Sequence, residues 1–467
     1  MSIFKAYDIR GVYPENLDEE LAYKIGRAFV TFIGCKEVCI GKDARTTSPQ
    51  LFKSLVKGIT DQGADVIDIG LCSTPLFYFA TRNYESGIMV TASHNPAKYN
   101  GFKLCRDGTV PISGDTGIKE IEALALKNKF RDVSDVSKKG KLIVHDYFDE
   151  FVDFCLKHKG KIKPMKIIID TANGMGGYVF PKVLEQLPQL KIIYLFKDID
   201  MSFPNHEANP LKPENMVDLQ KAVKKNKANL GIAIDGDADR VMFIDENTDL
   251  ISSDFITALV GLELIDRKNN QNNNQNKNAD NIIKADKISN LDMAMGYDVR
   301  SSKIVKEVWE QNGAKAFETR VGHALIKESM RKNNMFFAGE LSGHYYYEET
   351  GYVENTILTT LIILNIISEQ NKPFSEIIKP LKKYFQSGEI NFEVDDKMAK
   401  MKELEIIYKQ KKAKDIHWLD GVTVRFNKWW FNVRSSNTEP LLRLNLEADT
   451  KELLGEKFEE VKSIILN

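Results

Sequence analysis

KEVCIGKDARTTSPQLFKSLVKGITDQGADVIDIG, residues 36–70, reads as strand, loop, helix and strand in one passage. KEVCIGKD (36–43) is a short β-rich run that ends in glycine and charge. Leu51, Leu55, Val56 and Ile59 then recur at helical spacing, and ADVIDIG (64–70) returns to the strand pattern. The same grammar reappears in MKIIIDTANG (165–174), the helical segment 177–187 and KIIYLF (191–196). LGIAIDGDAD (230–239) starts a third instance. Strands alternating with helices of this length argue for α/β units on mixed sheets, repeated as related domains.

Working outward, clusters of Lys/Gly, Asp/Glu/Asn and Lys/Pro interrupt the periodic segments near 141, 247 and 376. Expected domains are therefore 1–141, 142–247, 248–376 and 377–467. That is four pieces, where 467 residues at about 150 per domain would suggest three. The last piece differs: EINFEV, GVTVRF, WWFNVR and LLRLNLEA read as strands, with a helical segment between the first two and a closing helix at 450–466. This is an α+β pattern. Residues 269–278 hold seven Asn, two Gln and one Lys, a polar tract expected to be a disordered surface loop without function.

Composition narrows the function. Lys+Arg 65 against Asp+Glu 66 leaves a net charge of −1, which argues against nucleic acid partners. Five cysteines, at 35, 39, 72, 105 and 155, make neither a disulfide framework nor a CxxC metal pair, as suits a reducing cytosol. MSIFKAYDIRG places Asp8 and Arg10 where a secretory signal needs an apolar run. The apolar stretch 357–367 is about half the ~20 residues of a membrane span and reads as a buried helix. A cytoplasmic protein without a membrane partner is expected.

The chemistry concentrates in loops. TASHNP (91–96) follows the apolar run GIMV, so Ser93 projects at the carboxyl edge of a sheet, where open α/β sheets bind ligands. A capping Asx/Ser turn would produce the same tetrapeptide. No GxSxG occurs, so an acyl-enzyme serine is not indicated. DGDADR (235–240) puts Asp235, Asp237 and Asp239 at alternating positions after an apolar strand, an oxygen-rich cluster suited to a hard divalent cation, with a structural acidic turn as the alternative. An EF-hand is rejected because its sixth position is Arg240 rather than Gly and both flanks are strand-like. Magnesium's preference for phosphate oxygens then implies a phosphorylated partner. GELSGH (339–344) brings together a carboxylate, a hydroxyl and an imidazole, a set that reads a polyol or caps a helix. RSSNTEP (434–440) offers a guanidinium, hydroxyls and an amide, an anion cradle or a polar hairpin turn. ANGMGG (172–177) lacks the third glycine of a dinucleotide fingerprint and reads as a tight strand-to-helix turn.

In order, AYDIRG (6–11), TASHNP, DGDADR, GELSGH and RSSNTEP resemble the signature loops of the α-D-phosphohexomutase superfamily, most closely its bacterial phosphomannomutase/phosphoglucomutase branch. The resemblance implies three related α/β mixed-sheet domains plus a C-terminal α+β domain around a central cleft. It implies a phosphorylated Ser93, Mg²⁺ on Asp235, Asp237 and Asp239 with an oxygen from Ser93, and sugar hydroxyls held by Glu340 and Ser342. Arg434, Ser436, Asn437 and Thr438 match binders of the non-transferred phosphate. Tyr7, Arg10, Lys103, Arg240 and His344 match residues around the reacting phosphate, with proton transfer shared among Arg10, Lys103 and His344. His323 matches a position near the sugar, and Arg300 a basic, substrate-binding position that can be lysine in relatives. The implied reaction moves a phosphoryl group between the 6- and 1-positions of mannose or glucose phosphate through a hexose 1,6-bisphosphate, in a monomer or homodimer. Phosphoglucosamine mutase, or a metal-dependent sugar phosphatase, is the alternative.

Overall fold

The computed structural model describes residues 2–133, 138–277, 293–435 and 441–466, with the backbone alone for 271–277. Two compact units divide the chain: Met1–Ser252 with Ser342–Ile377, and Ser253–Leu341 with Ile378–Asn467.

In the first unit, Glu37–Lys42 lies between Asp65–Leu71 and Ser86–Val90, all three parallel. Tyr99–Arg106 adds antiparallel beside Ser86–Val90, and Ile9–Val12 lies beyond it. The helix Ser48–Asp61 starts with Pro49 in its first turn and buries Leu51, Phe52, Leu55, Val56 and Ile59 in the core of this sheet. A second sheet repeats the plan. Met165–Asp170 sits between Leu190–Leu195 and Leu230–Ile234, parallel to both, and Val241–Asp245 pairs antiparallel with the latter.

In the second unit, Ala294–Asp298 sits between Lys315–Thr319 and Phe337–Gly339, again parallel. Three times, therefore, the first of the parallel strands is central, the second lies on one side and the third on the other. Ser93, Asp235 and Glu340 each follow the third strand of their sheet at its carboxyl end, beside the switch point where α/β sheets bind ligands. The C-terminal sheet is antiparallel throughout, in the order Phe385–Glu393, Leu441–Ala448, Trp429–Ser435, Val422–Arg425, Asp415–His417. The helices Lys397–Gln410 and Lys451–Leu466 contribute Met401, Leu404, Val461 and Ile465 to its core. The class expected from sequence, repeated α/β mixed sheets followed by α+β, is the one observed.

Three details differ from the sequence reading. Leu142–Val144 pairs with Asp65–Leu71, so the first sheet keeps the chain three residues past the break at 141. Asp415–His417 is an additional edge strand, too short and too charged at its flanks to show alternation. The tract 269–277 is not a loop: the helix Ser253–Lys277 runs through it, while 278 lies outside the described residues. Once an apolar segment has nucleated a helix, Asn and Gln cost well under about 1 kcal/mol each to extend it.

Thr356–Gln370 is the helix anticipated at 357–367; it is capped by the Asn355 side chain, which accepts from Leu358 N at 3.0 Å, and is buried from Thr356 to Ser368. Among the described residues no helix is long and apolar enough to cross a membrane. All five cysteines are buried and none is in a disulfide. The turn read at ANGMGG is present: Ala172 and Asn173 take positive φ before the helix Gly176–Leu184.

Candidate active site

Ser93 is buried and takes a left-handed backbone, φ 51°. Its N–H donates to Thr91 Oγ1 (3.0 Å), and its Oγ donates to Asp235 Oδ2 at 3.1 Å and lies 3.2 Å from His94 Nδ1. The DGDADR loop reaches the serine loop because residue 236 is glycine. A Cβ there would lie 2.4 Å from the Ser93 carbonyl oxygen.

Asp235, Asp237 and Asp239 are all buried and present oxygens within 4.8 Å of one another. The Asp235 Oδ1 accepts the N–H groups of Asp239 and Arg240, both at 3.1 Å, which closes the loop on itself. Asp237 Oδ2 accepts from Thr74 Oγ1 and from Lys103 Nζ, each at 2.7 Å, while its Oδ1 is buried with no hydrogen-bond partner. Lys103 also donates to Asp239, whose Oδ1 faces His344 Nε2 at 3.3 Å. Burial, with Asp239 and Asp237 beside it, pushes the Asp235 carboxyl well above its usual range. Burial acts on Asp239 in the same direction, but Lys103 and His344 outweigh it and hold that carboxyl well below. Three hard oxygen donors, one of them without a partner, fit a divalent cation of the magnesium type.

Cations surround this cluster. Arg10 donates to Asp8 Oδ2 (2.7 Å), to the Ala92 carbonyl (3.1 Å) and to the Asn95 side chain (2.5 Å). Arg240 Nε lies 3.3 Å from His344 Nε2, and His344 Nδ1 lies 2.9 Å from Ser342 Oγ. Burial opposes the charge of Lys103, yet Asp237 and Asp239 raise its pKa above the ordinary lysine value, so it stays an ammonium. His94 goes the other way, its pKa driven well below the usual histidine value by burial and then by Arg240 and Arg10. Tyr7 lies partly buried in the turn before Ile9–Val12.

The remaining expected residues belong to the second unit. Arg300 is buried and forks onto Asp298 (Nη2 to Oδ2 2.7 Å, Nε to Oδ1 3.1 Å), with Glu340 at 3.4 Å and Glu389 at 3.5 Å. Glu340 also accepts from Gly322 N at 3.2 Å, in the turn that leads into the helix His323–Lys332. Arg434 donates to Glu389 at 2.7 Å, and Arg443 shares the same carboxylate at 3.1 Å. Ser436, Asn437 and Thr438 lie outside the described residues.

Asp43, Arg45, Thr74, His94, Asp298 and Glu389 carry the geometry of these sites and were not singled out from sequence. A signal existed for two pairs: GKDAR (41–45) recurs as GYDVR (296–300). Glu389 gave none, because its partners lie 45 and 54 residues away.

Comparison with known proteins identifies the family. Residues 1–132, 145–248 and 253–384 match the family descriptions Phosphoglucomutase/phosphomannomutase, alpha/beta/alpha domain I, II and III, and 389–464 match its C-terminal domain. The phosphomannomutase of Methanocaldococcus jannaschii is 37% identical over 469 residues, covering 100% of this chain and 98% of that protein. The phosphomannomutase of Vibrio cholerae is 39% identical over 483 residues, with coverage of 100% and 98%. The crystal structure of a phosphoglucomutase/phosphomannomutase family protein from Burkholderia thailandensis superposes with a TM-score of 0.87 at 28% identity, covering 99% of this chain and 96% of that one. With four family domains in order and relatives matched along the whole chain, this chain belongs to the phosphoglucomutase/phosphomannomutase family of phosphohexose mutases.

Proposed function

We propose that this reversible phosphohexose mutase works through a phosphorylated Ser93, Mg²⁺ at Asp235, Asp237 and Asp239, and a hexose 1,6-bisphosphate that also serves as activator, with mannose or glucose phosphate as substrate. One observation carries the reading: Ser93 Oγ sits 3.1 Å from Asp235 Oδ2, at the edge of a buried three-carboxylate cluster ringed by Lys103, Arg240 and His344.

In the forward step a bond forms between a sugar hydroxyl oxygen and phosphorus, and the phosphorus–Ser93 Oγ bond breaks. The hydroxyl proton passes to His344, and a proton returns to the departing Ser93 oxygen. Arg10, Lys103 and His344 share the task of holding and moving protons, with His344 Nδ1 oriented by Ser342. A divalent cation held by the triad supplies withdrawal of charge from the phosphoryl oxygens. Lys103, Arg10 and Arg240 hold the phosphoryl group as charge builds, and Tyr7 lines its approach. Glu340 and Ser342 hold sugar hydroxyls, and His323 and Arg300 take part in binding the substrate. Arg434, Ser436, Asn437 and Thr438 hold the phosphate that is not transferred. After the bisphosphate reverses, its other phosphate returns to Ser93.

The same reading assigns the phosphoserine loop to 1–141, the metal loop to 142–247, the sugar loop to 248–376 and the distal phosphate to 377–467. It has the enzyme act in the cytoplasm as a monomer or homodimer, on a small phosphosugar. Replacing Ser93 by Ala tests it. Turnover of mannose and glucose 1-phosphates should vanish while the melting temperature holds, and mass spectrometry should find the wild-type phosphate on Ser93. An active Ser93→Ala variant would overturn the covalent route.

A further inference from the structure

The central strand of each α/β sheet delivers an aspartate to its carboxyl end: Asp43, Asp170 and Asp298. In all three the Oδ1 accepts the backbone N–H two residues on, from Arg45 at 3.1 Å, Ala172 at 2.9 Å and Arg300 at 2.8 Å. The turn is the same each time. In two of the three, the residue so placed is an arginine that reaches the loop after the third strand. Arg300 reaches Glu340. Arg45 reaches the loop of Ser93.

The Arg45 contact is the more extensive. Its guanidinium is buried and donates to four backbone carbonyls, those of Ser93 (2.7 Å), Asn95 (2.7 Å), Pro96 (2.9 Å) and Tyr99 (3.0 Å). Its Nε lies 3.3 Å from Asp43 Oδ2, and the Phe203 ring packs 5.4 Å from its centre. Asp43 is fixed in turn by Ser48 Oγ at 2.6 Å, and Ser48 by Asn100 at 3.1 Å. A serine holds a left-handed backbone only where its surroundings over-determine it, and here one rigid fork determines four peptide units around it.

We propose that Arg45 is a positioning residue for phosphoryl transfer. Through the backbone it fixes the direction in which the Ser93 oxygen points, without touching the transferred group itself. The proposal rests on the reading of Ser93 as the phosphorylated residue. Its chemical demand is directional: in-line displacement tolerates little misalignment, and about 1 Å of displacement costs on the order of 100-fold in rate.

Arg45→Lys keeps the charge and loses the planar fork. In the metal-loaded enzyme it should lower kcat by about 100-fold while KM for the sugar phosphate stays within about threefold. The rate of Ser93 phosphorylation by glucose 1,6-bisphosphate should fall in parallel, with the final stoichiometry unchanged. A purely structural role would lower the melting temperature and leave kcat of the folded protein intact, which would overturn the proposal. Should Arg45→Lys fail to fold, Asp43→Asn carries the test, since it keeps the fork and frees its orientation. A smaller fall in kcat at constant KM supports positioning, and unchanged kcat overturns it. If Ser93→Ala is itself active, the underlying phosphoserine reading fails instead.

Discussion

Two glutamates on the C-terminal sheet answer to pH in opposite directions, because burial meets different neighbours. Burial would raise the Glu389 carboxyl, but Arg300, Arg434 and Arg443 outweigh it and hold it below the ordinary value. Its folded pKa is depressed, so the stability it contributes is present above its unfolded value and is lost as pH falls through the folded one. Glu447 has no such cations. Burial pushes it up to about 7 against hydrogen bonds from Ser302, Trp430 Nε1 (2.8 Å) and Lys303 N (3.2 Å). A raised carboxyl favours folding below the unfolded value, near 4.5, and loses that contribution as pH rises toward 7. Thermal melts from about pH 2.5 to 8 should therefore separate the two. Glu447→Gln should flatten the decline between about 5 and 7, and Glu389→Gln should flatten the decline on the acid side. A wild-type profile in both variants would refute the assignment. Glu389 also aligns Arg434 and Arg443, so Glu389→Gln should weaken binding of the sugar phosphate, measured as a higher KM.

At the level of single elements, Thr356–Gln370 shows how a helix without an amphipathic stripe earns its place. Every side chain from Thr356 to Ser368 is buried, and its polar ones are used locally: Thr359, Thr360 and Ser368 donate to carbonyls one turn back, at 2.9, 2.8 and 2.7 Å. Asn365 accepts the Lys161 N–H at 2.8 Å, and Thr356 donates to the Ala238 carbonyl in the DGDADR loop at 2.8 Å. The helix therefore helps to hold the turn that carries Asp237 and Asp239. Leu361→Ala should cost about 2–5 kcal/mol in urea denaturation. Thr356→Val should cost less stability, yet lower affinity for the divalent cation by loosening the turn, read by titration calorimetry with Mn²⁺. Unchanged affinity would show that the Ala238 contact is dispensable.

For the whole molecule, the repeated topology explains how scattered sequence motifs acquire equivalent positions. In each α/β repeat the candidate site loop follows the third parallel strand, next to a central strand that ends in, or is followed by, an aspartate. The charge these loops need is supplied locally, so a net charge of −1 coexists with dense cationic and acidic clusters. A cation bound only by the folded triad should stabilise the protein globally, by about 2.7 kcal/mol at 100 times its dissociation constant. Mg²⁺ should raise the melting temperature of the wild type and EDTA should reverse it. Asp237→Asn should lose the response, and a retained shift would place the cation elsewhere.

Sequence alone determined the alternating α/β repeats, the α+β ending and the five signature loops. These depend on local signals: apolar periodicity, turn residues and short motifs whose members are neighbours in the chain. The Asn-rich tract went against its composition because helix propagation depends on what precedes it. Tertiary structure decided the rest. That Lys103 bridges Asp237 and Asp239, that Arg45 clamps the Ser93 loop and that Glu389 gathers three arginines are contacts between residues 45 to 136 positions apart. No propensity encodes such pairs. They arise when folding packs strands and loops distant in the chain against one another, where burial makes each charge require a partner.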